Sequence, residues 1–306
     1  MILYFGVIAI IIGFTLLSWA VGINFLSRQN IGNILVQCSI IAIVGLGQSC
    51  VIITGGIDLS VGSMVGFTGI ISAVLIRSGM PIWGAFLIGI VAGTSIGFIN
   101  GLGVSYGKIP SFIMTLGMLG IVRGATLGAS GNKPIAGFSQ VILKLANTLI
   151  LGIPSFIVFM GIIYIIMVIV MSRTIIGRYV YAIGGNVKAA NLSGINTKLI
   201  GLIAYGLSGL FSSIAGVMLL SRLAYASPTA GEGYELNSIA AVVLGGIALS
   251  GGVGKIYNTL VGAVILSILK AGLQILNVST YAQSIVIGVV IIIAVFLDKF
   301  KERRAE

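Results

Sequence analysis

The residues able to do chemistry are few, and their placement limits what the chain can catalyse. Of its six acids, Asp58, Glu232 and Glu235 lie in the body, while Asp298, Glu302 and Glu306 sit in the C-terminal tail. Histidine is absent, which removes the commonest general base and metal ligand. No two acids pair inside an apolar run, so an acid–base couple is missing and a carboxylate relay for ion coupling has little to work with. Cys38 and Cys50 share one apolar run. On a helix they would stand about 18 Å apart, beyond disulfide reach, and they read as small buried hydrophobes. Gly251-Gly252-Val253-Gly254-Lys255 resembles part of a phosphate-binding loop, but Leu249 and Ile256 stand where Gly and Ser or Thr are needed. No nucleotide site follows from it.

The three internal acids fall into a pattern. Gly56-Ile57-Asp58-Leu59-Ser60 and Gly233-Tyr234-Glu235-Leu236-Asn237 both read Gly, apolar, acid, Leu, small polar, and each precedes an apolar run. An acid followed by Ser or Asn can accept bonds from the unpaired N–H groups of the next helix. Gly55 and Gly56, or Gly231 and Gly233, let the chain turn sharply beforehand. Two readings stay open: a plain helix cap at each site, or a broken helix at a transport path or gate formed by Gly55, Gly56, Asp58, Ser60, Glu232, Glu235 and Asn237. Arg123, about 20 Å along its run, is expected either to pair with Glu232 or Glu235 or to extend its charge to the interface.

The setting of these residues follows from composition. The chain has 306 residues, 58% hydrophobic and 8% charged, with a mean hydropathy of +1.19. A soluble domain carries about 25% charged residues. The apolar residues come in runs of about 20, enough to cross a bilayer core. A soluble enzyme, a disordered regulator and a disulfide-stapled secreted domain are excluded. The expected fold is an all-α polytopic membrane protein of about ten spans: 2–22, 31–54, 61–77, 82–105, 110–128, 150–172, 198–222, 238–254, 256–275 and 280–297. The first is read as a span, since no basic segment precedes it and no cleavage site follows it. The motif copies lie five spans apart and so face opposite sides, as an inverted five-plus-five repeat would place them, with halves 1–149 and 150–297. A short amphipathic piece is expected around 138–146, and a charged tail at 298–306.

The net charge of +11 would point a soluble protein toward nucleic acid, but here the cations sit at the ends of apolar runs and form no continuous phosphate-binding surface. They set orientation instead. With both termini inside, Lys108, Arg173, Arg178, Lys188, Lys198, Lys255, Lys299, Lys301, Arg303 and Arg304 are cytoplasmic, against Arg28, Arg77, Lys133, Lys144 and Arg222 outside. Gly89, Gly93, Gly97 and Gly101 recur every four residues, lining one helix face for close backbone approach. The longest hydrophilic segment, 172–198, is cytoplasmic in this orientation. Gly184-Gly185-Asn186 makes a turn with Asn186 as an N-cap, Val187–Leu192 a short helix, and Gly194 its stop. Such a capped knob suits docking of a partner protein.

The stretches ITGGIDLSVGS (53–63), AIGGN followed by AA, L and SGIN (182–196), PTAGEGYELNSIAAVVLGG (228–246) and LSGGVGK (249–255) resemble the permease subunits of ribose-type ABC sugar importers, across roughly residues 30–300. The resemblance implies a type II-like importer permease, a single transmembrane domain over 1–306. Two permease copies would pack on cytoplasmic ATPase subunits that bind ATP and Mg, and an extracytoplasmic binding protein would deliver a pentose or hexose. It implies no enzyme activity and no cofactor in this chain. It also implies that Gly184, Gly185, Asn186, Lys188, Ala189, Ala190, Leu192, Ser193 and Gly194 form the ATPase-coupling segment. This chain departs from the family there: Lys188 stands where Glu is usual and Asn191 where a basic residue is common. Docking would then rest on Ala189, Ala190 and Gly194. Permeases of this family for nucleosides or a signalling sugar, and an ion-coupled secondary transporter, are the alternatives.

Overall fold

A computed structural model describes residues 2–138 and 140–305. Helices dominate: α1 (Ile2–Ala20), α2 (Arg28–Ile53), α3 (Val61–Arg77), α4 (Ile82–Ser105), α5 (Ser111–Ser130), α6 (Gln140–Asn147), α7 (Ser155–Arg173), α8 (Ile175–Gly185), α9 (Val187–Leu192), α10 (Thr197–Leu223), α11 (Tyr234–Leu244), α12 (Asn258–Ile275) and α13 (Thr280–Ala305). Between α6 and α7 lies an antiparallel pair of two-residue strands, β1 (Leu149–Ile150) and β2 (Ile153–Pro154). Among the described residues, α2, α4, α5, α7, α10 and α12 are long and apolar enough to cross a membrane, and four further apolar helices are shorter.

Large apolar side chains occupy the outside as well as the core, and polar side chains are drawn inward among the buried apolar ones. Phe5, Trp83, Ile121, Ile165 and Ile292 point outward, whereas Ser49, Asp58, Ser60, Asn100, Thr115 and Ser208 are buried. Hydrocarbon solvates the first set, and the second set finds partners inside. The inward hydroxyls are satisfied largely by carbonyls one turn back, as in Ser49 to Gly45, Thr126 to Val122 and Ser213 to Gly209.

Helices α2 and α10 form the centre. α2 packs on α11 and α12, and α10 packs on α3 and α4. The α4 glycines at 89, 93, 97 and 101 are all buried, and Gly97 shows why: a Cβ there would lie 2.5 Å from the Tyr205 carbonyl oxygen and 2.8 Å from Gly209 Cα. Two backbones thus touch without intervening side chains. α1 is peripheral and reaches α12 through Phe14, which covers Gly272 and stacks on Phe25 at 5.9 Å.

Four expectations change in detail. The apolar run 238–254 is helical only over Tyr234–Leu244, because Gly245 and Gly246 end it and positive-φ Gly251, Gly252 and Gly254 keep the following chain in turns. The first residues of the 150–172 run enter the β1–β2 pair. α13 continues as helix into the charged tail as far as Ala305, consistent with its Lys, Glu, Arg and Ala; Glu306 lies outside the described residues. The amphipathic piece is α6, with Ser139 outside them.

Candidate functional site

The site begins where α2 stops. Ile53 ends the helix, Gly55 turns at φ +83°, and residues 54–60 run back into the bundle before α3. Asp58 is fully buried there. Its Oδ1 accepts from the Ser60 N–H at 3.0 Å and from the Ser60 hydroxyl at 2.6 Å. Its Oδ2 accepts from the Ser208 hydroxyl of α10 at 2.8 Å. Ser60 Oγ in turn accepts from Asn100 Nδ2 of α4 at 2.8 Å. Gln48 of α2, with its amide oriented by the network, donates to the Asp58 carbonyl at 3.1 Å and accepts from the Asp58 N–H at 3.3 Å. The carboxylate thus ties α10 to the break, the Asp58 backbone ties α2 and the Ser60 hydroxyl ties α4, and Ser60 makes no side-chain bond to the first turn of α3. The local N–H contact that a cap requires is present, from Ser60 to Asp58, and tertiary bonds from distant helices join it in a latch.

The second motif enters from the other end of α10. Gly231 (φ +82°) and Gly233 (φ +79°) turn the chain into α11. Glu235 Oε1 accepts from the Gly233 N–H at 3.1 Å, and Oε2 faces the backbone of Gly62 at the start of α3, where a Cβ would overlap it. Asn237 is buried and Glu232 exposed. The second motif thus meets the start of α3, just beyond the first motif, while Gly55 and Gly56 line one cavity and Gly233 and Asn237 another.

Arg123 of α5 donates through Nη1 to the carbonyls of Pro228 at 2.8 Å and Ala230 at 3.1 Å. It clamps the loop that carries Glu232, using backbone oxygens rather than the carboxylate pairing that was one of its two expected roles. Carbonyl acceptors leave no signal in sequence.

The segment after α7 holds more structure than its polarity predicts, since α8 precedes the expected turn. Asn186 caps α9, its Oδ1 accepting from the Ala189 N–H at 2.9 Å. Ser193 follows the helix, and Gly194 turns the chain at φ +81°. Lys188, Ala189 and Ser193 are exposed, and Leu192 is 90% exposed. Ala190 is buried and anchors the inner side of α9. Behind the segment Gly184, Gly251 and Gly252 meet Ile53 and Gly55 backbone to backbone. The Gly252 N–H donates to the Ile53 carbonyl at 2.9 Å. A Cβ on Gly184 would overlap that carbonyl and the Gly252 nitrogen, and one on Gly251 would lie 2.9 Å from the Gly55 nitrogen. Tyr181 of α8 also donates to the Gly254 carbonyl at 3.0 Å. A cavity of about 380 Å³ opens beside this node, lined by Gly55, Gly56, Lys108, Ser111, Lys198 and Tyr205 among others.

An apolar exterior, polar networks buried among the helices and two breaks that each carry an acid fit a multi-pass membrane protein. Residues 30–295 match the family described as branched-chain amino acid transport system / permease component, and the chain belongs to that family. It is 43% identical over 283 residues to the ribose import permease protein RbsC of Escherichia coli strain K12, covering 91% of this chain and 88% of the relative. It is 42% identical over 280 residues to RbsC of Bacillus subtilis strain 168, covering 91% and 87%. The xylose transport system permease protein XylH of Escherichia coli strain K12 is 34% identical over 362 residues, covering 98% and 91%. No solved structure matches.

Proposed function

We propose that this chain is the membrane-spanning permease subunit of an ATP-binding-cassette importer that moves a monosaccharide, with ribose as the first candidate. The observation that carries the reading is the 43% identity to a ribose import permease over 91% of the chain. The sugar names of the aligned relatives weigh more than the amino-acid wording of the broader family, because they follow from near full-length similarity.

In this reading α9 and its flanks, Gly184–Gly194, receive a cytoplasmic ATPase that supplies ATP and Mg. An extracytoplasmic protein delivers the sugar, and a second permease copy completes the path in the cytoplasmic (inner) membrane. Both termini lie inside. The glycine node gives the motor's movement a route: displacement of Gly184 pushes on the Ile53 carbonyl and on Gly252, and so on the Gly55–Asp58 break. With no side chains between these backbones, little movement is absorbed on the way. The six long and four shorter apolar helices then make ten membrane-inserted elements. The exchange of partners, α2 on α11 and α12 and α10 on α3 and α4, supports two inverted halves.

The test is uptake in cells expressing the chain with an ATPase and a sugar-binding protein of the same transporter type. Labelled D-ribose should accumulate, while L-leucine and a ribonucleoside should not. Accumulation of leucine or the nucleoside without ribose would overturn the substrate assignment.

A further inference from the structure

At the end of α2 away from the glycine node lies a second cavity of about 400 Å³, between α2, α11, α12 and α13. Its lining is unusually polar for helices of this apolarity: Gln37, Glu232, Asn237, Lys270, Gln274 and Gln283 all face it. Gln37 lies about 14 Å along α2, and Lys270 lies within the apolar run of α12. The Lys270 ammonium rests 5.9 Å from the Tyr234 ring centroid, a cation–π contact rather than an ion pair. Acyl chains cannot solvate such groups, and an ionisable residue inside a span marks function by default.

We propose that this cleft is a monosaccharide site on the wall of the import path, which rests on the permease reading above. Primary amides offer donors and acceptors together, as vicinal hydroxyls require. The Lys270 ammonium donates and the Glu232 carboxylate of the same lining accepts, and a neutral sugar's hydroxyls can answer both. Asn237 is 5% exposed and belongs to the second motif, so an occupant would touch α11, the helix that leads into the Gly251–Gly252 turn of the glycine node. The volume falls in the range of small-molecule sites, about 300–1,000 Å³.

The test uses the full chain in nanodiscs carrying Gln274→Cys. The native Cys38 and Cys50 are 3% and 0% exposed, so a polar maleimide reports the cleft alone. D-ribose should slow labelling in a saturable manner, whereas equal concentrations of glycerol or L-leucine should not. Adding Lys270→Met or, as a milder change, Gln283→Ala should raise the ribose concentration needed by about tenfold, as expected for a lost hydrogen bond. Labelling that ribose leaves unchanged, that glycerol slows equally, or that both variants leave equally protectable would overturn the site. If the wild-type chain still imports ribose with ATP, the cleft fails alone; if wild-type import also fails, the permease reading falls with it.

Discussion

The Gly252 N–H donates to the Ile53 carbonyl at 2.9 Å, and Gly184 lies over the same carbonyl closely enough to exclude any side chain. Three segments far apart in sequence therefore share one backbone junction: the end of α2, the end of α8 and the turn after α11. In the proposed mechanism the motor's stroke passes through this junction.

Gly184→Val forces a branched side chain into that junction. Overpacking of this kind costs about 1–3 kcal/mol. Thermal unfolding of the purified chain should shift down accordingly, and ATP-driven uptake should fall even where membrane insertion is unchanged. Wild-type uptake in this variant would show that the junction does not transmit.

Asp58→Asn replaces a carboxylate that accepts from Ser60 and Ser208 with an amide that repels one of those donors. The loss should be about 1–3 kcal/mol, read by chemical denaturation. Ser208→Ala should lose less, and the double variant should fall short of the sum because both act on one network. Full stability and uptake in Asp58→Asn would remove the latch.

Asn186→Ala deletes the N-cap of α9 at a cost of about 1 kcal/mol. Because α9 is exposed, the expected defect is in coupling: ATPase activity of the assembled complex persists while sugar uptake drops. Equal loss of both would place Asn186 elsewhere in the mechanism.

Arg123 donates to carbonyls, so reversing charges cannot restore it. Arg123→Glu should be defective in uptake, and adding Glu232→Arg or Glu235→Arg should give no rescue. Rescue by either would establish the carboxylate pairing that the geometry does not show.

Much of this architecture is legible in the residues, and the failures are physical. The bounds of α3 and α4 follow from apolar runs closed by Ser, Gly and Pro, and the α4 glycine stripe is visible from its spacing. Asn186 announces α9 because capping is a local interaction. The end of α11 at Leu244 is hidden because the glycine-rich turn after it is still apolar. The partners of Asp58 are hidden because they come from distant helices. Yet Gln48, Asn100 and Ser208 are polar residues inside apolar helices, and that mismatch could have singled them out. The Arg123 acceptors were beyond reach, since every residue carries a carbonyl.

The most direct test of the central claim is D-ribose accumulation in sealed vesicles holding this chain, its ATPase and its binding protein, with ATP supplied on the ATPase side. The account predicts accumulation that requires ATP, survives collapse of proton and sodium gradients, and is lost in Gly184→Val. Accumulation driven by an ion gradient without ATP would contradict it.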